Sequence, residues 1–478
     1  MYIGLDLGTS GLKGVAIRDD QTVVATSSAS LSVSRPSAGW SEQDPADWIV
    51  AAERVLDALA AETSLGGVRG IGLSGQMHGA TALDAADAVL RPAILWNDTR
   101  SAEEAAEMDT DPAWRQISGN IVFPGFTAPK LAWMRRHEAD LFSRICKVLL
   151  PKDYLRLWLT GEHVSEMSDA AGTSWLDTRA RDWSDALLEK TGLNRQHMPR
   201  LVEGSEASGS LRRDLAQRWG LSGEVAVAGG AGDNAASAVG AGLIRNGEGF
   251  VSLGTSGVLF VANDSYAPAP ETAVHTFCHA LPGYWHQMGV ILAATDALNW
   301  FASLVGEDAA ALTYDLGPLR APGRTLFLPY LGGERTPLND GRIRGAFLGL
   351  EHATDQAAAT RAVLEGVAFA LRDCKEAIAA TGTELGSLLA MGGGSRSAYW
   401  LQALATVLDT PVDLPAAGEF GAAFGAARLG MMATGTGAEI ATRPGIARTI
   451  EPDPALRDSF EDGYRRYVIA RRAIATLR

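Results

Sequence analysis

Two stretches of the chain share one pattern, LDLGTSGLKGVAI at residues 5–17 and VSLGTSGVLFVAN at residues 251–263. Both contain LGTSG between apolar segments, and they lie about half a chain apart in a sequence of 478 residues. This spacing indicates an internal duplication. Each copy consists of an apolar stretch, a Gly-Thr-Ser-Gly turn and a second apolar stretch, which predicts a β-hairpin with glycines and hydroxyls at its tip.

The composition of the two tips favours an anionic ligand. Glycine lets the backbone approach a ligand closely, and successive N–H groups can surround an anion. Two such tips that face each other across a cleft would hold a chain of phosphates. For either copy alone, an ordinary tight hairpin remains the alternative.

The overall charge sets a condition on how such an anion is held. The chain carries 42 Lys+Arg and 56 Asp+Glu, a net charge of −14. No nucleic-acid partner is expected, because phosphate backbones require clustered basic residues. An anion must therefore be held by local N–H groups and a metal ion. Three widely spaced cysteines, an N-terminus without a basic region and no long apolar span predict a cytoplasmic protein with no membrane partner.

Strand-like and helical segments alternate along the chain, which predicts an α/β architecture. We expect strands at residues 68–73, 93–95, 225–228 and 388–391. We expect helices at residues 45–61, after the N-cap residue Asp44, and at residues 356–380. A short polar segment with glycines near residues 243–250 divides the chain into the predicted domains 1–245 and 246–478.

Three familiar motifs do not account for the function. No Gly-Lys dipeptide occurs, which excludes a P-loop. The pattern GIGLSG at residues 70–75 has the glycine spacing of a dinucleotide site, but its first glycines fall inside an expected strand and no helix start follows. The segment HTFCH at residues 275–279 has the composition of a metal site without a second pair of ligands, so we interpret it as structural.

Two aspartates stand in unusual surroundings. Asp6 interrupts an apolar strand two residues before the first glycine turn, and a buried carboxylate needs a partner. That partner could be a structural hydrogen bond or Mg²⁺, which prefers few carboxylates together with phosphate oxygens. Asp233 follows VAVA and a glycine turn, among small residues that would leave room for a substrate. It could accept a hydroxyl proton, and capping the following helix is the alternative.

Other polar residues at strand ends suit a polyol ligand. Gln76, Met77 and His78 follow one apolar strand, and Trp96 follows another. Sugars need hydrogen-bonding partners and an apolar wall, which this mixture supplies, although a structural role for His78 is the alternative. The glycine turn at residues 392–397 could let an adenosine moiety lie against the backbone, or it could be a plain strand-to-helix turn.

Together these segments resemble the FGGY family of carbohydrate kinases over nearly the whole chain. The matching stretches include MYIGLDLGTSG, SRPSAGWSEQDP, SGQMHGAT, RPAILWND, VLLPKDYLRL, MSDAAGT, AGDNAA, SLGTSGV, FCHALPG, FLPYLGGERTP and AVLEGVA. Residues 125–137 (GFTAPKLAWMRRH) fit the first family signature throughout. Residues 345–365 fit the second signature except at Ala358 and Ala359, where the family usually has a polar residue followed by an aliphatic one.

The resemblance implies two actin-like, ribonuclease-H-like domains around a cleft that binds ATP and a sugar. It implies that Asp233 is the general base, that Asp6 organises Mg²⁺, and that glycines line much of the nucleotide cleft. The sugar contacts would be Gln76, Met77, His78, Trp96, Asp233 and Asn234. The nucleotide contacts would be Thr9, Ser10, Lys13, Gly254, Thr255, Asn299, Gly393, Gly394 and Ser397.

Within the family, the likeness is greatest to bacterial members that convert D-xylulose and ATP into D-xylulose 5-phosphate and ADP. Ribulose, fuculose, gluconate and glycerol remain alternative substrates. A non-catalytic actin-like ATP-binding sensor is disfavoured because Asp6 and Asp233 are both retained. An actin-like chaperone is disfavoured because the matching motifs extend to about residue 425 and the remaining tail is short. A homodimer remains open.

Overall fold

The structure, a computed structural model, describes residues 1–314 and 316–477. The strands are β1 (Tyr2–Leu7), β2 (Gly11–Ile17), β3 (Val23–Ser30), β4 (Glu42–Gln43), β5 (Gly70–Gly75), β6 (Thr81–Leu83), β7 (Ala93–Ile94), β8 (Lys147–Leu149), β9 (Val164–Glu166), β10 (Leu176–Asp177), β11 (Asp182–Trp183), β12 (Arg200–Val202), β13 (Ala207–Ser210), β14 (Ala226–Ala228), β15 (Ala231–Gly232), β16 (Gly249–Leu253), β17 (Gly257–Asn263), β18 (His275–Cys278), β19 (Trp285–Ile291), β20 (Leu326–Leu328), β21 (Ala346–Leu348), β22 (Leu388–Met391), β23 (Val412–Pro415) and β24 (Ile446–Ile450). The helices are α1 (Pro45–Glu62), α2 (Ala102–Asp109), α3 (Pro112–Ser118), α4 (Thr127–His137), α5 (Ala139–Phe142), α6 (Pro151–Thr160), α7 (Met167–Ala170), α8 (Asp185–Thr191), α9 (Arg213–Arg218), α10 (Asp233–Gly240), α11 (Thr295–Val305), α12 (Ala309–Tyr314), α13 (Gln356–Ala379), α14 (Ala398–Leu408), α15 (Ala422–Met432) and α16 (Arg457–Ile474).

Each half of the chain builds one seven-stranded sheet. In the first sheet the order is β13-β14-β5-β1-β2-β3, and β15 also pairs with β5. β2 runs antiparallel to its neighbours β1 and β3, whereas β5 and β14 run parallel to β1. In the second sheet the order is β18-β19-β17-β16-β22-β23-β24, with β19, β17 and β16 antiparallel and β22 and β23 parallel to β16.

The two sheets share a five-stranded core with the same strand order and directions. β3-β2-β1-β5-β14 of the first sheet corresponds to β19-β17-β16-β22-β23 of the second. The LGTSG turns join β1 to β2 and β16 to β17, so each predicted hairpin is present at the same place in its sheet. The duplication inferred from the repeat is therefore a duplication of structure, and the prediction of two related α/β units is confirmed.

The long helices occupy corresponding positions and form where the sequence predicts them. Asp44 caps α1 by accepting a hydrogen bond from the N–H group of Ala46, and Pro45 is the first helical residue. Asp355 caps α13 through the N–H group of Ala358, so one of the two unusual alanines of the second signature lies in the first turn. Apolar side chains of α1 pack on the first sheet, and those of α13 pack on the second.

Two further helices connect the halves. α10 follows the first sheet's last parallel strand and α15 follows β23 of the second sheet, yet α15 packs on β1, β5 and α10. The contact is so close that a methyl group on Gly425 would lie 1.8 Å from the carbonyl oxygen of Ala236, and one on Gly72 would lie 1.7 Å from that of Ala426. The small residues that follow Asn234 thus permit this helix packing, and their role in leaving room for a substrate stays a prediction.

None of the helices within residues 1–314 and 316–477 has the combined length and hydropathy that crossing a bilayer requires. The division at residue 245 stays a prediction, although each seven-stranded sheet is built from one side of it only.

Candidate active site

A cavity of about 280 Å³, here called the central cavity, lies between the two halves. Its first-half lining comes from the residues that follow β5 and β7 and from the start of α10. Its second-half lining comes from the second LGTSG turn, β17, β18, β19 and the segment after β20. The lining residues are Met77, His78, Trp96, Asp233, Asn234, Ser256, Val258, His275, Phe277, Met288, Val290 and Arg335. Five of the six predicted sugar contacts are among them.

Asp233 is the first residue of α10 and faces the central cavity. The N-cap residue is Gly232, and the Asp233 carboxylate accepts hydrogen bonds from the N–H group and the side-chain amide of Asn234 (2.7 and 2.9 Å). The helix-capping alternative is therefore not observed. Burial, reinforced by the negative charge of Asp6, raises the pKa of Asp233 to about 6. Such a carboxylate is ionised at neutral pH and basic enough to accept a proton.

Asp6 lies on β1 beside Asp233 because of strand register. It is paired with Lys13 on β2 and with Ser74 on β5, and the hydroxyl of Ser74 donates to its Oδ1 atom (2.9 Å). β15, which leads into Asp233, pairs with the next residues of β5. Burial raises the pKa of Asp6, and Ser74 and Lys13 partly offset the effect. Two carboxylates from neighbouring strand ends thus converge at one edge of the cleft.

His78 presents a defined hydrogen-bond acceptor to the central cavity. Its Nδ1 atom is 2.7 Å from the carbonyl oxygen of Gly172, so Nδ1 carries the proton and donates. Burial, together with the charge of Lys130, lowers the pKa of His78 to about 3, so the ring is neutral and Nε2 keeps a free lone pair. The ring stacks on Phe126 (centroids 4.6 Å apart). The side-chain nitrogen of Lys130 donates to the carbonyl oxygen of His78 (2.8 Å), which fixes the backbone.

Gln76 supports the first hairpin and is not among the residues that line the central cavity. Its side-chain oxygen accepts a hydrogen bond from the Thr9 hydroxyl, and its amide donates to Gln43 (both 2.8 Å). Gln43 in turn donates to the carbonyl oxygen of Thr9 (2.7 Å). The indole of Trp96, which does line the cavity, donates to the Thr9 hydroxyl (2.9 Å). These contacts connect the first LGTSG turn to the cavity wall.

A fully buried set of charged side chains supports the loop before Asp233. The guanidinium of Arg156 donates to the carbonyl oxygens of Ala228 and Gly229. Ser168 accepts a hydrogen bond from the N–H group of Gly232 (3.0 Å). Lys152 lies within ion-pair distance of the carboxylates that complete the set, those of Asp153, Glu166 and Asp169. Because buried charges require partners in fixed positions, this set holds the backbone of the loop in place.

A larger cavity of about 680 Å³, here called the lateral cavity, lies wholly in the second half. Its lining includes four predicted nucleotide contacts, Asn299, Gly393, Gly394 and Ser397. A methyl group on Gly393 would meet no atom within 4 Å, so the backbone there is open to a ligand. Ser397 also caps α14 through the N–H group of Trp400 (3.3 Å).

The other predicted nucleotide contacts lie outside the lining of the lateral cavity, at the two turns or, for Lys13, on β2. Thr295 connects one turn to this cavity, since its hydroxyl and N–H group donate to the carbonyl oxygen of Gly254 (2.8 and 2.9 Å). Ser10 and Thr255 are exposed at the tips. The ammonium group of Lys13 is paired with Glu419 from the second half (2.8 Å).

Sequence reasoning did not assign the second-half residues of the central cavity. They are Ser256, Val258, His275, Phe277, Met288, Val290 and Arg335. Ser256 belongs to the LGTSG repeat, and His275 belongs to the segment interpreted as structural. The stretch FLPYLGGERTP contains Arg335 but carried no predicted role. Within the described residues, no group of three His, Cys, Asp or Glu side chains is arranged to hold a metal ion.

Comparison with known proteins agrees with this architecture. Family models described as the N-terminal and C-terminal domains of the FGGY family of carbohydrate kinases match residues 1–240 and 249–434. A xylulose kinase of Klebsiella pneumoniae is 49% identical over 464 residues, which cover 96% of this chain and 94% of that protein. A crystal structure of a "xyloylose kinase" from Brucella ovis has 62% identity and a TM-score of 0.98, with full coverage of both chains. A xylulose kinase structure from Rhodospirillum rubrum has 30% identity and a TM-score of 0.93, covering 100% of this chain and 99% of that one. The chain therefore belongs to the FGGY family of carbohydrate kinases.

Proposed function

We propose that this carbohydrate kinase transfers the γ-phosphoryl group of ATP to the 5-hydroxyl of D-xylulose, giving D-xylulose 5-phosphate and ADP. The central cavity carries the proposal, because it brings a carboxylate with a pKa of about 6 together with the polar partners Asn234 and His78. A relative that is 49% identical over 96% of the chain is a xylulose kinase. The alternative substrates with which D-xylulose must be compared are glycerol, gluconate, ribulose and fuculose.

In the proposed reaction, Asp233 accepts the proton of the sugar hydroxyl. The hydroxyl oxygen forms a bond to the γ-phosphorus as the bond from that phosphorus to the β,γ-bridging oxygen breaks, and ADP leaves. The N–H group and amide of Asn234 hold the carboxylate so that its second oxygen, Oδ2, is available to the substrate. A general base of this kind contributes about 10²–10⁴-fold to the rate.

Asp6 suits a role in binding Mg²⁺. Its Oδ1 accepts from Ser74, and its carboxylate lies at the cleft beside Asp233. One carboxylate that shares the ion with phosphate oxygens and waters is an arrangement that Mg²⁺ prefers. When bound, Mg²⁺ would neutralise charge on the phosphate oxygens of ATP.

ATP would lie with its adenosine moiety in the lateral cavity, against Gly393 and near Asn299. Its phosphates would extend past Gly254 toward the two LGTSG turns and Lys13. The open space at Gly393 and the tie from Thr295 to the second turn support this placement. A chain with a net charge of −14 needs such local donors to bind a polyanion.

The test is ADP release measured with D-xylulose, L-ribulose, D-ribulose, L-xylulose, L-fuculose, gluconate and glycerol in parallel. D-xylulose should give the highest kcat/KM, and a preference for any other substrate would refute the proposed substrate. Asp233→Asn should lose at least 100-fold of kcat, roughly the lower limit for a general base. Asp214→Asn, an exposed site on α9, is the matched control and should keep wild-type activity.

We also propose that residues 1–245 and 246–478 are separate domains and that the protein works in the cytoplasm. The free thiols of Cys146, Cys278 and Cys374 support a reducing compartment.

Whether the protein forms a homodimer is tested by sedimentation equilibrium, which distinguishes a monomer from a homodimer by mass.

A further inference from the structure

Arg335 reaches the central cavity from the second half of the chain. It lies between β20 and β21, and its side chain is among those that line the cavity. The buried carboxyl group of Glu334 accepts hydrogen bonds from the N–H groups of Arg335 and Leu292 (2.8 and 3.0 Å). The backbone of Arg335 is therefore fixed against β19, and its side chain extends into the cavity from a rigid base.

The guanidinium of Arg335 has donors to spare. It lies 3.5 Å from Nε2 of His275, and it stands over the ring of Phe123 at 4.8 Å from the ring centroid. Among the described residues, it has no carboxylate within ion-pair distance, unlike the paired arginines elsewhere in the chain. Since arginine has five N–H donors and stays charged, several donors are left for a ligand in the cavity.

Arg335 and Asp233 line the central cavity from opposite halves of the chain. The guanidinium of Arg335 contacts His275 and Phe123, whereas the carboxylate of Asp233 is hydrogen-bonded to Asn234. A sugar whose 5-hydroxyl meets Asp233 would therefore direct its C1–C2 end toward Arg335. His78, with a lone pair on Nε2, lies within reach of the hydroxyls between the two ends.

Arginine suits a ketone better than a hydroxyl. A ketone oxygen only accepts hydrogen bonds and arginine only donates them, whereas a hydroxyl also needs an acceptor for its proton. Building on the proposed function, we propose that Arg335 determines specificity by donating to the C2 ketone oxygen of the substrate, so that the site prefers a ketose over the corresponding polyol.

The experiment compares three ligands in wild-type protein and in Arg335→Met. D-xylulose has the ketone, xylitol has a hydroxyl in its place, and 1-deoxy-D-xylulose keeps the ketone but lacks the 1-hydroxyl. Binding is measured by isothermal titration calorimetry without ATP, and KM and kcat are measured where turnover occurs. Arg342→Met, at an exposed arginine of the same segment, is the matched control. Arg335→Lys provides a second variant that keeps the charge.

We expect Arg335→Met to lower the affinity for D-xylulose and for 1-deoxy-D-xylulose by about 10- to 100-fold, the range for loss of a charged hydrogen-bond donor. The affinity for xylitol should change by less than about threefold, and the KM for ATP should stay constant. Arg335→Lys should fall between wild type and Arg335→Met. Equal losses for all three ligands, or a loss of kcat at unchanged sugar affinity, would overturn the proposal and indicate a structural or phosphate-directed role.

The outcome for wild-type protein separates this inference from the proposed function. If another ketose is preferred, the proposed substrate fails, and the ketone test is repeated with that ketose and its polyol. If gluconate is preferred and its binding depends on Arg335, both fail, because the guanidinium then pairs with a carboxylate. If D-xylulose is preferred but Arg335→Met discriminates against xylitol as wild type does, only the inference fails.

Discussion

Replacing the proposed base by its amide should make the protein more stable while it removes activity. The pKa of Asp233 is raised from 3.8 to about 6, mainly by burial and secondly by Asp6. A difference of this size costs about 3 kcal/mol of folding free energy when the group is ionised in both states. The start of α10 favours the anion by about 0.3–1 kcal/mol. We therefore expect Asp233→Asn to be more stable than wild type by roughly 2 kcal/mol at pH 8.

The sign of this effect fixes its pH dependence. Because the pKa of the folded state is raised, the cost is complete above about pH 6, where the carboxylate is ionised in both states. As the pH falls from about 6 to 3.8, the folded protein takes up the proton first and the cost shrinks. Below 3.8 both states are protonated. The advantage of Asp233→Asn should therefore be present at pH 8 and disappear near pH 4.

Thermal unfolding followed by circular dichroism at several pH values measures the difference. A change of 1 kcal/mol shifts the midpoint by about 2–4 °C in a domain of 150–250 residues, so a rise of roughly 4–8 °C is expected at pH 8. Asp214→Asn is the control, since a hydrogen bond from Arg212 lowers the pKa of that exposed carboxyl and its removal should not stabilise the protein. A midpoint for Asp233→Asn at or below that of wild type at pH 8 would refute the reasoning.

Three other substitutions test the supporting structure. Arg156→Lys cannot hold both loop carbonyls and should lower kcat about tenfold, measured by steady-state kinetics alongside a thermal melt. Gly72→Ala would place a methyl group 1.7 Å from the carbonyl oxygen of Ala426 and should cost roughly 3 kcal/mol or more in chemical denaturation. Glu419→Gln releases Lys13 and should lower the KM for ATP by about two- to fivefold at low salt, with a smaller effect at high salt. If kcat, the free energy of unfolding or the KM for ATP stayed at its wild-type value in the corresponding variant, the role given to that contact would be contradicted.

The fold could be predicted where short-range pattern and duplication agree. The repeat located both hairpins, and capping residues located the starts of α1 and α13, because these signals depend on neighbours in sequence. The position of α15 could not be predicted in this way. Its contact with β1 and β5 joins residues hundreds of positions apart, and glycines such as Gly72 reveal it only when the two backbones are seen together. Part of the glycine content expected at the nucleotide cleft serves this packing.

The lining of the central cavity was predictable mainly on its first-half side. Asp6, His78 and Asp233 each follow or interrupt an apolar strand, and a polar residue there is visible in the sequence. The second-half lining is harder to see, since Val258, Met288 and Val290 look like ordinary strand residues. Gln76 illustrates a different limit: the sequence predicts a sugar contact there, and the structure shows its side-chain amide hydrogen-bonded to Thr9 and Gln43. Only the hydrogen-bond partners of a side chain, which the structure gives, distinguish a residue that is free to contact a ligand from one that supports the surrounding loops.

The packing of α15 also determines which parts of the site are held together. Asp233 begins α10, α10 packs on α15, and α15 rests on β1, which carries Asp6. The proposed base and the proposed metal ligand therefore belong to one tightly packed unit whose backbones nearly touch. Arg335 and the lateral cavity are attached to the second sheet instead. A change in the angle between the sheets would alter the distance from Arg335 to Asp233 while it leaves the two carboxylates in register, so the proposed selection of the sugar depends on how the two sheets are held relative to each other.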